Sequence, residues 1–244
     1  MNLRNIVCAG GLWAAAVVGP AVAQTDQGFG VIERTIRQKW SQVKTLRANV
    51  TLVETGADGT IEGQMQGTYE YRLERGKAMS RMELRTTIID QEGGKEVTIP
   101  ITFTTYNDGS FAHVVRKRGD TITVTKAFAN TQPTMDTNAI LYVMRSSSLM
   151  EILPEETVHG KATFVIRATP LAPPPDVTSQ VIYFAKETGV IVKAVTFDGS
   201  GTAASTYELS DVKINADIPK ERFVVNVPKG AQVQDLTGTS QPYP

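Results

Sequence analysis

The last quarter of the chain, from Gln180 to Val233, constrains the fold most. It consists of three strand-like segments in a meander and a fourth after them, with a turn signal at each junction. The turns are Lys186-Glu187-Thr188-Gly189, Asp198-Gly199-Ser200-Gly201 and Asp217-Ile218-Pro219. Glycine in the first two supplies the left-handed conformation that a short hairpin loop needs. This pattern predicts a continuous antiparallel sheet, which is better suited to enclosing a ligand than to assembling a catalytic centre.

Most of the preceding chain alternates apolar and polar residues with the period of two that a strand has. The alternating or strand-like segments are residues 46–53, 64–73, 81–88, 97–104, 111–115, 121–127 and 163–169. Strands that are apolar on one face and polar on the other are typical of a single antiparallel sheet. Pro100 cannot donate to a ladder, so we expect its strand to lie at an edge or to carry a bulge.

Two segments predict helices instead. Phe29, Ile32, Ile36, Trp40 and Val43 recur at intervals of three and four, which makes one apolar stripe of an α-helix. Residues 137–153 show no alternation and precede Pro154, which predicts a helix of about four turns. A polar gap at 145–148 leaves open a division into two short helices.

These segments predict a mainly β (α+β) fold. The expected order is a helix, about six strands, an apolar helix and about five strands, with no βαβ alternation. We expect an incomplete antiparallel β-barrel of about 11 strands with the helices covering its concave face.

Residues 1–23 have the features of a signal peptide. Arg4 supplies the positive charge, an apolar run follows, and Ala21-Val22-Ala23 is a small-x-small cleavage site. We therefore expect cleavage after Ala23, export to the periplasm, one domain over residues 24–236 and a tail over 237–244. Cys8, the single cysteine, precedes most of the apolar run, whereas a lipidated cysteine would follow it.

The composition argues against several functions. The chain has 25 basic and 25 acidic residues, and loss of Arg4 with the leader leaves a net charge of −1, which does not favour nucleic acid. Without Cys8 the mature chain has no disulfide, thiolate nucleophile or cysteine metal ligand. His113 is interpreted as a packing residue, and Glu156-x-x-His159 lies between Pro154 and a turn, which does not suit a helical metal pair. We therefore expect no enzyme activity, no metal and no cofactor.

An ordered set of segments resembles the LolA-type family of periplasmic lipoprotein carriers and sorting proteins. The segments are 43–51, 62–69 and, above all, the closing block with Tyr207-Glu208-Leu209-Ser210-Asp211 and Val227-Pro228-Lys229-Gly230-Ala231. The resemblance implies an incomplete β-barrel lidded by helices, whose cavity holds lipoprotein acyl chains between an inner-membrane donor and an outer-membrane acceptor. The Arg-Pro pair that this family has at the end of its second strand is replaced by Arg72-Leu73-Glu74-Arg75-Gly76, as in a divergent member.

The carrier hypothesis predicts a set of cavity-lining residues on the apolar strand faces and the second helix. Several are methionines, whose flexible thioethers adapt to irregular ligands, although ordinary core filling explains them equally well. The predicted lining residues are Val50, Leu52, Met65, Tyr69, Met82, Leu84, Ile99, Ile101, Ile140, Met144 and Met150. We expect the protein to be a monomer. The alternative function is a periplasmic regulatory or scaffold module of the same fold, which carries no lipid and binds a partner protein through an edge strand or the Pro173–Pro175 loop.

Overall fold

The computed structural model describes residues 26–92, 95–129, 135–173 and 176–238. The expected leader, residues 1–23, lies outside these ranges, as do residues 239–244 of the expected tail and Pro174 and Pro175 of the proline loop. In the described part of the chain, no helix is both long and apolar enough to cross a membrane.

The described residues form two α-helices, twelve strands and one short 3₁₀ helix at Lys220–Phe223. The helices are α1 (Asp26–Trp40) and α2 (Thr137–Ser147). The first six strands are β1 (Thr45–Thr55), β2 (Ile61–Glu74), β3 (Lys77–Glu92), β4 (Lys95–Asn107), β5 (Phe111–Arg118) and β6 (Thr121–Phe128). The others are β7 (Ser148–Val158), β8 (Lys161–Pro170), β9 (Ser179–Ala185), β10 (Ile191–Phe197), β11 (Ala203–Ile214) and β12 (Gln232–Asp235).

All the strands belong to one open sheet. Their order is β12-β6-β5-β4-β3-β2-β1-β11-β10-β9-β8-β7, so β12 and β7 are its two edges. Because the edges do not pair, the sheet is an incomplete barrel, and the predicted mainly β fold with two helices is confirmed. The expected count of about 11 strands lacked β7, whose first residues, 148–153, were assigned to the second helix. The fourth strand expected after Asp217-Ile218-Pro219 forms only at β12, four exposed residues that pair in parallel with β6.

One face of the sheet carries the main apolar core and is called here the inner face. The ladders pair Leu52 with Met65, Tyr69 with Met82, and Leu84 with Phe103, which places alternate residues of β1 to β4 on that face. From α1, Phe29, Ile36 and Trp40 join the same buried cluster, so the predicted helical stripe does pack against the sheet.

The second helix is shorter than the four turns predicted. It ends at Ser147, and residues 148–153 form the start of β7. The prediction of one helix over 137–153 is therefore wrong in its second part. Ser148 is extended (φ −139°, ψ 150°) and closes the helix by donating its backbone N–H to the Met144 carbonyl. Pro154 then lies in an edge strand, at a shift in the β7–β8 register between Leu153 and Glu156, where a missing N–H is tolerated.

Pro100 occupies an interior strand rather than an edge, since β4 lies between β3 and β5. The β3–β4 register runs through Thr87 and Pro100 without a bulge, so that prediction is also wrong. However, the β4–β5 ladder ends at Ile101 and Arg118. Pro100 accepts a hydrogen bond from the Gly119 N–H at 3.3 Å, and its ring nitrogen points toward this same side, beyond the end of β5. Pro100 thus lies just beyond the end of the β4–β5 ladder, where no ladder donor is required of it.

The C-terminal end of α1 is fixed against the sheet by close backbone contact. Gly189, in the β9–β10 turn, has a φ of +71°, and a Cβ there would lie 2.5 Å from the Ile36 carbonyl oxygen. Only glycine therefore allows α1 to approach this turn. Beside it, the rings of Trp40 and Tyr71 lie 5.0 Å apart, which joins the helix to β2.

The opposite, outer face has a buried ionic cluster under the chain that connects β11 to β12. Glu70 of β2 is 1% exposed, and its carboxylate binds Arg47 at 2.9 Å and Arg222 at 2.8 Å. Arg81 lies 3.6 Å away and is 8% exposed. Since Arg222 belongs to the connecting segment 215–231, this cluster fixes the segment to the outer face.

Apolar contacts support the same attachment. Ile218 and Phe223 from the connecting segment pack on Met79 of β3 in a second buried cluster. The Arg72 guanidinium also donates to the Ile218 carbonyl at 2.8 Å. The chain can thus cross the outer face from β11 to the distant strand β6, where β12 pairs.

The Glu70 cluster should contribute strongly to stability. We expect Glu70→Gln to lower the free energy of unfolding by about 1.5–3 kcal/mol, because a neutral amide replaces the buried carboxylate that accepts charge-assisted hydrogen bonds from Arg47 and Arg222. Urea denaturation followed by circular dichroism measures this change. Glu151→Gln is the matched control, since its ion pair with Arg167 is exposed and should be worth at most about 1 kcal/mol. Equal losses in the two variants would contradict the role given to Glu70.

Candidate ligand site on the inner face

Most of the predicted lining residues come together in the inner-face core. Eight of them are 1–6% exposed: Val50, Leu52, Met65, Tyr69, Leu84, Ile101, Ile140 and Met144. Side chains this buried are packed against other parts of the chain in this conformation. The two α2 residues, Ile140 and Met144, belong to this packed core, and direct contact of the eight residues with a ligand stays a prediction.

The other three lie differently. Met82 and Met150 are half-buried and pack at the border of the core, and the Tyr207 hydroxyl lies 3.9 Å from the Met82 sulfur. Met150 lies on β7 and not on a helical lid, which corrects its expected position. Ile99 is outside the core cluster and lines a separate cavity described below.

Helix α2 covers the core and is held at its N-terminus by two polar contacts. Asp136 caps the helix by accepting the Ala139 N–H at 2.9 Å, and Thr137 donates its hydroxyl to the Gly189 carbonyl at 2.9 Å. Its buried residues include Ile140, Leu141 and Met144, whereas Tyr142 on the opposite side is 70% exposed. The helix is thus a single amphipathic layer between the core and solvent.

Glu33 connects the two helices farther along α2. Its carboxylate accepts from Arg37 of the same helix at 2.8 Å and from Arg145 of α2 at 2.7 Å. Glu33 is 7% exposed, so water screens this bridge less than it screens a surface pair. The bridge acts as a latch between α1 and the C-terminal part of α2.

The inner face continues past the core into a cavity of about 630 Å³ at the β5–β6 turn. It is lined by Thr98, Ile99, Pro100, Arg116, Arg118, Gly119, Asp120, Thr121 and Thr123. Ladder pairs of Phe103 with Arg116 and of Ile101 with Arg118 place both arginines on the inner face. Ile99 lies two residues from buried Ile101 along β4, so the cavity adjoins the core.

Sequence reasoning missed these arginines because charged residues on a strand usually indicate a solvated face. The strand was expected to end at Val115, whereas β5 extends to Arg118. Continued alternation was the available signal, since Ala112, Val114, Arg116 and Arg118 all follow the period of two and share one face. Their residue types concealed that pattern.

A second polar group on the inner face is Glu54, near the end of β1. Its Oε1 atom is buried and has no hydrogen-bond partner among the described residues. Burial raises the pKa of this carboxyl above its ordinary value, and repulsion from Glu62 raises it further. The inner face thus carries isolated polar groups beyond the α2-covered core.

The two histidines lie away from this cavity. Burial lowers the pKa of His113, which lies on β5. His159 has a φ of +47° in the β7–β8 turn, and its Nε2 lies 3.5 Å from a Glu208 oxygen. Glu156 lies on the strand before this turn, so the pair does not have helical geometry. No cluster of three or more metal-ligating side chains occurs within the described ranges.

No family model and no curated protein matches the chain. An uncharacterized conserved protein from Thermus thermophilus is similar, with 13% identity over 86% of this chain and 99% of that one and a TM-score of 0.49. The Pseudomonas aeruginosa MucA/MucB complex matches with 11% identity over 84% of this chain and 62% of that one, at a TM-score of 0.47. A LolA superfamily protein from Nitrosomonas europaea matches with 12% identity over 79% of this chain and 97% of that one, at a TM-score of 0.27.

These similar structures include the LolA superfamily, which the sequence resembles. The chain spans less than two thirds of the MucB chains that it matches, at 62%, 58% and 64%. Identities and TM-scores this low carry no argument about ligand or partner. The function is therefore argued from the geometry of this chain.

The Glu54 carboxyl should make stability depend on pH. Because folding raises its pKa, its contribution is fully present below its unfolded pKa near 4.5 and is lost as the pH rises through the folded pKa. Glu54→Gln removes this loss, so we expect the variant to gain stability relative to the wild type between pH 4 and pH 7. Urea unfolding at both values measures the trend. A constant difference between the two proteins across that range would contradict the prediction.

Proposed function

We propose that this protein is an exported, non-enzymatic carrier that shields an alkyl chain between its inner face and α2. The observation that carries the proposal is that the sheet does not close, so its apolar inner face is covered by helices and not by other strands. This face is covered by the 11-residue helix α2 and by α1, and it leads into a cavity of about 630 Å³. A closed barrel or a sandwich would have no removable cover over this surface.

The proposed binding step exchanges α2 for the ligand. Each methylene buried by the sheet contributes about 0.8 kcal/mol. The buried α2 residues Ile140, Leu141 and Met144 already cover that surface, so a ligand chain must displace them. Because the ligand chain replaces α2 side chains on the same apolar surface, the net free energy of binding is small. A small net value suits a carrier that must both load and release its ligand.

The remaining parts of the proposal come from the sequence. The leader with its cleavage site after Ala23 supports export to the periplasm. The resemblance to lipoprotein carriers supports an acyl-chain or lipid cargo, an inner-membrane donor and an outer-membrane acceptor. We also propose that the protein acts as a monomer, without cofactor and without catalysis.

A second candidate is a partner-binding module with a filled core. Two observations favour it: eight predicted lining residues are packed, and β7 is an edge strand that leaves Leu149 51% and Ile152 43% exposed. An edge with unpaired backbone groups can accept an added strand from a partner protein. This function needs no ligand chain and no movement of α2.

Ligand uptake distinguishes the two candidates. Trp40 is the single tryptophan once Trp13 leaves with the leader, and it belongs to the buried core. We expect a dibrominated fatty acid, added below its micelle concentration, to quench Trp40 fluorescence by contact, while the unbrominated acid binds without quenching. Native mass spectrometry of the same samples counts the bound molecules. Absence of any complex at saturation, together with absence of co-purified lipid, would refute the carrier and leave the partner-binding module.

The Glu33 latch should control how fast α2 opens. We expect Glu33→Gln to speed uptake of the brominated fatty acid several-fold, because the neutral amide weakens the charge-assisted bonds to Arg37 and Arg145. Stopped-flow quenching of Trp40 measures the rate. The variant keeps every apolar core residue, so the number of fatty acid molecules bound at saturation should equal that of the wild type.

Glu187→Gln is the matched control for this experiment. Glu187 lies exposed in the β9–β10 turn next to the helices and forms no ion pair with another described residue. Its loss removes the same charge near the same site without touching the latch. Equal uptake rates for wild type and both variants would show that the latch does not limit opening.

A further inference from the structure

Arg116 is an uncompensated cation inside the half-barrel. It lies on the inner face of β5 and lines the cavity, and its guanidinium lies over the Phe103 ring at 5.6 Å. Its Nε atom is buried with no hydrogen-bond partner, and no carboxylate of the described residues pairs with it. A buried donor without an acceptor costs stability, so this Nε atom favours the binding of an oxygen acceptor.

The other charged residues that line the cavity do not neutralise Arg116. Arg118 is paired with Asp90, whereas Asp120 lies exposed in the β5–β6 turn. Neither carboxylate forms a salt bridge with Arg116. The site therefore offers one free positive charge, which suits a ligand with one negative charge at this point.

Hydroxyl groups stand beside this cation. Thr123 is the cross-strand neighbour of Arg116, and Thr121 pairs with Arg118; directly opposed residues have Cβ atoms about 4.5–5.5 Å apart. Both threonines line the cavity, and neither hydroxyl is engaged by another described residue. A guanidinium fork with a neighbouring hydroxyl is a set of donors suited to phosphate or carboxylate oxygens.

The apolar side of the cavity faces the core. Ile99 lines the cavity, and its ladder partner Ile88 packs against the buried cluster. A ligand with its anion on Arg116 can therefore lay an alkyl chain along these two isoleucines toward Ile101. The cavity combines a polar head position with an apolar path in one direction.

We propose that this cavity is the headgroup subsite of the carrier. Arg116 and Thr123 bind the phosphate or carboxylate of an anionic amphiphile, and the alkyl chain lies on Ile99 and continues toward the core. The inference rests on the proposed carrier function and adds that the cargo is anionic. It predicts a preference for headgroup charge that an apolar cavity alone would not have.

Four probes added below their micelle concentrations test the subsite by isothermal titration calorimetry: dodecyl phosphate, dodecanoate, neutral dodecyl maltoside and inorganic phosphate. We expect the two anionic amphiphiles to bind wild-type protein roughly ten- to a hundredfold more tightly than the maltoside, which is the range for one charge-assisted contact. Arg116→Gln should remove that preference and leave maltoside affinity unchanged. Inorganic phosphate should bind weakly, because it lacks the chain.

Lys117→Gln is the matched control, because it removes one positive charge from the same strand at an exposed outer-face position. It should leave all affinities at their wild-type values. If charged and neutral amphiphiles bind wild type equally, the headgroup subsite is wrong while the carrier function stands. If no amphiphile binds and inorganic phosphate alone does, both proposals fail and the cavity is a simple anion site.

Wild-type protein alone decides the matter if Arg116→Gln does not fold. The ratio of dodecyl phosphate to dodecyl maltoside affinity requires no variant. Thr123→Val provides a second, milder change, since it replaces a hydroxyl by a methyl group of similar size on the same face. It should reduce the preference for dodecyl phosphate about threefold or more, and an unchanged ratio in this variant would contradict the part given to Thr123.

Discussion

The fold depends on one constraint: a sheet that does not close must cover its apolar face with something else. With β7 and β12 as unpaired edges, the inner face of this sheet cannot be covered by the sheet itself. Helices α1 and α2 supply the cover, through Phe29, Ile36 and Trp40 from one and Ile140, Leu141 and Met144 from the other. Burial of this face is non-directional, so the same surface accepts any apolar group of suitable shape. The inner face can therefore be covered by α2 in a partner-binding module or by an alkyl chain in a carrier.

The period of two and the turn residues predicted the open sheet, because each strand is half-buried and each turn uses glycine or aspartate. They failed where tertiary context overrides local pattern. Residues 148–153 look helical because they are apolar without alternation, yet as an edge strand they are covered on one side by the helices and exposed on the other. Likewise the fourth strand expected after Asp217-Ile218-Pro219 forms only at β12, because its partner β6 lies about a hundred residues earlier in the chain and no local pattern indicates that pairing. The same holds for the candidate site. Its apolar residues were predicted from the period of two, whereas the position of Arg116 on the inner face became clear only from the ladder pairing of β5.

The outer face shows how the chain reaches that distant partner. The ionic cluster around Glu70 and the small core of Met79, Ile218 and Phe223 hold segment 215–231 across the sheet. This arrangement leaves the inner face free of the connecting chain. Stability contributed by the outer face lets the inner face retain isolated polar groups such as Glu54 and Arg116, which the fold itself does not need.

The carrier and the partner-binding module differ in one free energy, that of lifting α2 from the sheet. Exposing three buried apolar side chains costs roughly 5–9 kcal/mol at about 1.5–3 kcal/mol each, while a chain of about 12 methylenes returns roughly 10 kcal/mol when it is buried. These quantities are close enough for the polar contacts of the helices to decide the balance. Glu33 adds to the cost of opening, and an anion on Arg116 adds to the return from binding. If the sum favours the ligand, α2 is a lid; if it does not, α2 is part of a permanent core and the exposed edge at β7 is the working surface.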